Sequence, residues 1–567
     1  MVERSPRRLR DTLLSLLPEG RPSRLLAAAI GVGVMVGVAV AVLDYLVVIL
    51  LLENVLELPL YIQAGAPLVG LLLTTLLLTT LGQNCGPSTS EEYVKAFHAR
   101  HPSFPMGPLR ARLLAGAATI GLGGAVGLEG PAVYMGSAIG LQVQSRLERL
   151  LGKDAGKLLL TAGAAAGVSA LFQAPATGLI FALESPYRDD VAHRALLPSL
   201  MASAASFLTF ASMPFIERGT DWGFAFNPGI GAGELAGAVA LGVGAGFGGR
   251  GFAWATRRAK DLSAGRSPWT TAVAGGVVLG VLAVIADRLF EEPLTLGPGF
   301  EVVEWLDEDH SLMLIVVLFF FRAIATLSTV GAGGVGGLFI PLAVQGVILG
   351  TIVGDLLDRI GWGTDGALWP ILGLAAFLAA GYRTPIAAVM FVAESSSSGS
   401  VVVPALVAAA VSQLVAGTAS VSAAQRVERR GHLEERFALP LVSALTTDVL
   451  TVPSDATISE FVWGHALGRR QRVVPVVDGA EYRGLCAVDD VSAVERDRWE
   501  AEAIETIMVA DIPTARPSWN LRDAVAAMDA AGTDMLAVTD EQGNFVGVVY
   551  ESEIVKLGEI LDETEGK

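Results

Sequence analysis

Two short segments of this chain bring together residue types that handle ions. Gly127-Leu128-Glu129-Gly130-Pro131 sets one carboxylate among glycines and a proline in the middle of an otherwise apolar stretch. Glycine and proline turn the chain sharply into a new helix, and a carboxylate so deep in apolar sequence is a functional group by default. A helix N-terminus offers free backbone N–H groups and the positive end of the helix dipole. A helix starting here and another starting at Gly336-Gly337-Leu338-Phe339-Ile340-Pro341 together make a cradle for an anion without any cationic side chain. A fixed Lys or Arg would bind the ion too tightly to release it, so the cradle suits an anion in transit.

The elements that must hold this cradle are membrane spans. Of 567 residues, 52% are apolar and only 17% charged, which makes a multi-span membrane protein the expectation. Leu25 to Leu52 and Leu68 to Leu81 hold almost no charge and are long enough to cross or nearly cross a bilayer. The 65 glycines suit close helix packing and broken helices around a site. Arg4, Arg7, Arg8, Arg10, Arg21 and Arg24 precede the first apolar run, which places the N-terminal segment, residues 1–24, on the cytoplasmic side. The run after Arg24 is too long for a signal-peptide core, so no cleavable signal is expected. Cys85 and Cys486 fall in different compartments, so neither a disulfide nor a metal cluster is expected. The net charge of −17 belongs to the tail, where residues 438–567 hold 24 Asp/Glu against 10 Lys/Arg.

Apolar segments run from about residue 25 to about 430, many short and bounded by Gly or Pro, and contain an internal repeat at an offset of 210. Gly121, Gly123, Gly124, Gly127, Leu128, Pro131, Gly136 and Gly140 meet identical residues at that offset, and Gly163, Pro175, Phe181, Glu184 and Ser185 meet Gly373, Pro385, Phe391, Glu394 and Ser395. Two homologous halves imply a pseudo-symmetric transporter with its site between them near mid-membrane. After Arg426 the composition turns polar, with a domain boundary near 437. From 438 onward the pattern is of short strands and amphipathic helices, duplicated at an offset of 63, as Asp448, Gly484 and Asp490 against Asp511, Gly547 and Glu553.

These motifs carry a specific resemblance. GLEGP resembles the G-(R/K)-E-G-P motif of the CLC chloride channels and transporters, and GGLFIP resembles their G-x-F-x-P motif. Gly297-Pro-Gly-Phe-Glu301, the stretch from Arg322 through Thr326 to Gly337, and the breaks at Pro175 and Pro385 support the likeness, which covers roughly residues 25–430. It implies an all-α polytopic membrane fold of two pseudo-symmetric repeats and a homodimer with a pore in each subunit. It also implies Glu129 as a gate that competes with the anion and swings out on protonation, with backbone amides of Gly130, Leu338, Phe339 and Ile340 as anion ligands; for the Phe339 side chain, plain packing is the competing role.

Departures from the family pattern matter equally. Its G-S-G-I-P motif is absent, and an ungapped count puts Ser88 of Asn84-Cys-Gly-Pro-Ser-Thr-Ser90 at the anion-binding serine, with Thr89 or Ser90 as alternatives and a helix cap as the blander role. The inner tyrosine has no counterpart in the last membrane segment, where Ser422 is the nearest match, and Ser422 is as readily a plain helix position. Ser185 stands where proton-exchanging members carry an internal glutamate, and Glu184 reads as a structural partner of Glu394. Asp189, Asp190 and His193 lie just beyond and have the chemistry to accept protons, with a solvated loop as the blander reading. Ser185 and Ser422 together point to channel-like or weakly proton-coupled chloride conduction, with a tightly coupled chloride/proton antiporter as the alternative.

The duplicated tail resembles a soluble α/β CBS pair, with modules at 438–500 and 501–567. Such pairs commonly bind an adenine nucleotide through a G-h-h-(T/S)-x-x-D element, here Gly484 to Asp490 and Gly547 to Glu553. Asp490 and Glu553 keep an acid, whereas Ala487 and Tyr550 replace the hydroxyl, so a dimerisation module is the competing reading. No catalytic constellation, metal spacing or Walker loop is present, so neither an enzyme nor a required cofactor nor a nucleic-acid partner is expected. A cation transporter would need more intramembrane acids than Glu129, Glu184 and Glu394. A non-transporting sensor and a fluoride-selective subtype complete the alternatives; the expected location is a prokaryotic plasma membrane with the tail cytoplasmic.

Overall fold

The computed structural model describes residues 21–99, 101–152, 155–216, 231–362, 366–396, 399–426, 439–467, 472–510, 512–531, 533–554 and 556–557. Most of the N-terminal segment and the boundary near 437 lie outside the described residues. Contacts divide the chain into two units, Met1–Glu428 and Arg429–Lys567.

The first unit is helical. In chain order its helices are α1 Arg21–Asp44, α2 Leu60–Thr79, α3 Ser90–His98, α4 Met106–Gly121, α5 Glu129–Arg146, α6 Ala155–Phe172, α7 Pro175–Glu184 and α8 Leu196–Ala211. These are followed by α9 Ala232–Ser263, α10 Pro268–Phe290, α11 Phe300–Trp305, α12 Leu312–Gly331, α13 Phe339–Arg359, α14 Leu368–Tyr382, α15 Pro385–Ser395 and α16 Val402–Ala416. Among the described residues, eight helical stretches are long and apolar enough to cross a membrane, whereas α7, α14 and α15 are shorter apolar pieces. Pro175 and Pro385 open their helices, where the missing N–H costs nothing.

The 210-residue offset holds at the level of single backbone angles. Gly123 and Gly333 have φ of 87° and 80°, and their mates in type, Gln173 and Arg383, have 49° and 58°. Each member of the second pair adopts a left-handed conformation that ends one helix just before a proline opens the next, a conformation few side chains tolerate and one that both halves keep. Small residues let the paired helices touch backbone to backbone: Gly136 packs on Gly163, and Gly346 on Gly373.

Two acids of the first candidate span, Pro22–Leu56, were missed by the sequence reading. Asp44 and Glu53 both lie inside it, so the intramembrane acids are not only Glu129, Glu184 and Glu394. Asp44 stands where α1 passes into the π-helix Tyr45–Glu53 and Glu53 ends that π-helix, a transition that nothing in the surrounding polar residues signals.

The second unit contains β1 Leu445–Thr446, β2 Val473–Asp478, β3 Glu481–Ala487, helix α17 Leu521–Ala531, β4 Met535–Thr539 and β5 Phe545–Tyr550. β2 and β3 form a hairpin, and the other sheet runs β1-β5-β4. The entry strand of the first module pairs with the second module, Thr446 opposite Val548. Val509, 63 residues after Thr446, pairs in return with Leu485, 63 residues before Val548, through two hydrogen bonds of 3.0 and 2.8 Å. The two modules thus exchange their entry segments.

Candidate functional site

The centre of the membrane unit is a two-residue antiparallel bridge between repeat mates. The Gly127 N–H donates to the Gly337 carbonyl at 2.9 Å, and the Gly337 N–H returns the bond to Gly127 at 2.7 Å. The same exchange flanks it: the Ala125 amide donates to Thr329 Oγ1 and the Val335 amide to Thr119 Oγ1, each at 3.1 Å. Each of these residues is 210 positions from its counterpart, so a local two-fold axis passes between the glycines.

Two residues beyond the bridge, α5 and α13 begin at Glu129 and Phe339, so two helix N-termini converge on the axis. The Phe339 N–H donates to Glu129 Oε1 at 2.6 Å, and the Ile340 amide also faces the carboxylate. Glu129 is 1% exposed, and its Oε2 has no hydrogen-bond partner in the structure. The carboxylate therefore occupies the dipole-rich position that the motif spacing assigns to an anion. Gly337 leaves the space it fills, since a Cβ there would collide with the Glu129 side chain. Gly130 is equally tight: a Cβ would fall 2.5 Å from Thr89 Oγ1 and 2.9 Å from the backbone at Gly336 and Gly337.

The Phe339 side chain points away into an aromatic cluster. Its ring stacks on Phe172 at 4.6 Å and meets the edges of Phe391 at 5.2 Å and Phe181 at 5.6 Å. Phe339 thus contributes its amide to the cradle and its ring to packing.

Below the cradle lies a small cavity of about 70 Å³, whose wall brings together Ser88, Thr89, Ser185, Leu338 and Ser422. Among the described residues, the hydroxyls of Thr89, Ser185 and Ser422 are buried without a hydrogen-bond partner, whereas Ser88 donates to Glu91 Oε2 at 3.3 Å. Thr89 is 2% exposed and packs on Gly130, while Ser88 is only half-buried at the cavity edge. Buried hydroxyls seldom stay unpaired, so a wall with three of them calls for an acceptor in the cavity.

Sequence reasoning missed Tyr382. It is 5% exposed, lines the cavity, and sets its hydroxyl beside the Leu338 amide and the Ser90 side chain. The family pattern directs attention to the last membrane segment, but this tyrosine comes from the end of α14. The repeat could have found it, because Tyr382 is the mate of Phe172 and both flank Phe339. Lys260 and Glu91, 3.1 Å apart, also line the cavity.

Glu184 and Glu394 do not meet each other. Glu184 accepts from the Ile386 and Ala387 amides at 3.2 and 2.8 Å, capping α15. Glu394 accepts from the Ala176 and Thr177 amides at 2.8 and 2.7 Å and from Thr177 Oγ1 at 2.6 Å, capping α7. Each half thus supplies the N-terminal acceptor of the other. Arg322, fully buried, spans four carbonyls at Leu294, Leu296, Gly297 and Pro298, at 2.6 to 3.2 Å, and so clamps the Gly297–Glu301 loop. Asp189 pairs with Arg383 at 2.6 Å, and Asp190 accepts from the Val191 amide.

In the tail, Asp490 accepts from the Ala487 amide at 2.9 Å and caps its own turn, while Glu553 pairs with Lys556 at 2.6 Å.

A family model described as voltage gated chloride channel matches residues 69–417, and a CBS domain model matches residues 504–559. The H(+)/Cl(-) exchange transporter ClcA of Klebsiella pneumoniae (strain 342) is 27% identical over 317 residues, which is 53% of this chain and 64% of that protein. The chain therefore matches less than two thirds of the length of this relative. Among solved structures, a slow cyanobacterial Cl-/H+ antiporter superposes with a TM-score of 0.62 at 22% identity, over 69% of this chain and 94% of that one. A CLC-type fluoride/proton antiporter gives 0.60 at 20%, over 71% and 98%. At these identities the likeness is one of fold.

Proposed function

The chain belongs to the voltage gated chloride channel family, and from that premise we propose that it moves chloride and similar anions across a membrane, with Glu129 as the gate. The observation that carries this reading is the wall of buried, unpartnered hydroxyls at Thr89, Ser185 and Ser422, directly below amides already engaged by a carboxylate. Hydroxyl and amide donors, beside a Lys260 ammonium already paired with Glu91, favour an anion that binds and leaves. Glu129 and the anion compete for one set of donors, so moving the carboxylate aside opens the site. Neutralising it by protonation weakens its hold on the Phe339 amide and links opening to pH.

Among the donors, Gly130, Leu338, Phe339 and Ile340 supply backbone amides, and Thr89, Tyr382 and Ser422 supply hydroxyls, with Ser88 at the cavity edge. Ser185 puts a hydroxyl where a proton relay would need a carboxylate, which favours channel-like or weakly coupled conduction. The second reading, a coupled chloride/proton antiporter, draws on the exchange activity for which the Klebsiella relative is named and on Glu91, an acid in the wall of the same cavity. We further propose a homodimer with one pathway per subunit, a prokaryotic plasma membrane, a cytoplasmic tail with a regulatory or dimerising role, and no enzymatic activity.

Anion efflux from proteoliposomes, recorded with an external pH electrode, tests the reading. Wild type is expected to release chloride with few or no accompanying protons, and Glu129→Gln to release it without protons and without dependence on external pH. Uphill proton movement at a fixed ratio to chloride would make the protein an antiporter, and absence of any efflux would end the transport reading.

A further inference from the structure

Away from the cradle, α1 and the outer end of α5 leave an apolar groove of about 360 Å³ between them. Its wall is built from alanine, valine, leucine, methionine and glycine of α1, α5 and the turn Glu148–Leu151, and no carboxylate lines it. Among the described residues, the only polar side chains in the wall are Arg24 and Arg146. Arg24 lies in the first turn of α1 and Arg146 is the last residue of α5, so both guanidinium groups mark helix ends at one end of the slot. Neither has an acidic partner among the described residues, and Arg146 is exposed. Midway along α1, a Cβ on Gly31 would meet no atom within 4 Å, which shows that the slot has room there.

Two arginines without an acidic partner among the described residues, at the end of an apolar slot, describe one shape of ligand, a negatively charged head joined to a hydrocarbon chain. The planar guanidinium fork matches phosphate oxygens in pairs, and basic pockets between spans hold anionic headgroups in this way. The chain's own residues 1–20 are a poorer match, because they carry four arginines against three acids and so bring net positive charge to a positive rim. We infer that this groove is a binding site for an anionic phospholipid, with Arg24 and Arg146 on the phosphate and the slot between Gly31, Met35, Leu147 and Leu151 around an acyl chain.

The test is native mass spectrometry of the full-length protein titrated with phosphatidylglycerol or phosphatidylcholine in detergent. Wild type is expected to retain phosphatidylglycerol preferentially. The double variant Arg24→Gln/Arg146→Gln should retain it roughly 25-fold less, about five-fold for each charge at the membrane surface. Gly31→Phe keeps both charges and fills the slot, and should lower retention of the same lipid. Equal retention of the two lipids by wild type, or phosphatidylglycerol retention unchanged in either variant, overturns the site. Retention that rises when residues 1–20 are removed also overturns it, because the N-terminal segment would then be the occupant.

Discussion

Thr89, Ser422 and Tyr382 bring three hydroxyl-bearing side chains to one cavity from three separate parts of the chain. If each hydroxyl donates to the transported anion, removing one costs the bond to a charged acceptor, about 1.5–3 kcal/mol, or at least ten-fold in affinity. Thr89→Val and Tyr382→Phe should each weaken chloride binding by that order in isothermal titration calorimetry, whereas Ser88→Ala should change it little, since that hydroxyl is engaged with Glu91. Unchanged affinity in Thr89→Val would remove Thr89 from the site. The meeting of Glu129 with the Phe339 amide was legible because glycines and a proline around one acid announce a helix start at a defined place. Thr89 and Tyr382 were less so: an ungapped count carries a one-residue uncertainty through a loop, and Tyr382 reaches the cavity from a helix that the family pattern does not implicate. Asp44 was visible as a letter in an apolar run, and nothing beside it signalled a role.

Glu184 and Glu394 belong to the scale of elements, because each acts through a helix end in the opposite half. Cutting Glu394 to alanine leaves two amides and the Thr177 hydroxyl of α7 without an acceptor, at about 1–3 kcal/mol for each buried group left unpaired. Glu394→Ala is therefore expected to lower the thermal unfolding midpoint in detergent by several degrees, and Glu184→Ala, which frees two amides of α15, should do the same. A Glu184→Ala protein as stable as wild type, with altered proton flux, would instead make that acid a relay. The sequence reading coupled the two acids correctly as repeat mates, but not as a crosswise pair of caps. An offset in one dimension says which residues are equivalent and leaves open whether equivalent residues meet each other or each meets the other's neighbours.

For the whole molecule, two duplications at different offsets close in the same way, by exchange. In the membrane unit Gly127 and Gly337 trade hydrogen bonds, and in the tail the segments around Thr446 and Val509 trade modules. Exchange makes each half incomplete without the other, which is why neither repeat reads as a free-standing domain in the sequence although both offsets were plain. In the tail the two acids of the duplicated G-h-h elements are already engaged, Asp490 with its own turn and Glu553 with Lys556. Calorimetry with ATP, ADP or AMP on the full-length protein is expected to show no binding heat, and measurable heat abolished by Asp490→Asn would restore a nucleotide site. The local two-fold at the centre also fixes a polarity. Glu129 and Phe339 stand at equivalent points of the same axis, and only the first of the two carries an acid. Exchanging them, Glu129→Phe with Phe339→Glu, would hand the movable charge to the opposite helix. The two halves of the cradle thus match in backbone and differ in chemistry, so its two sides are not interchangeable although the hydrogen bonds between them are.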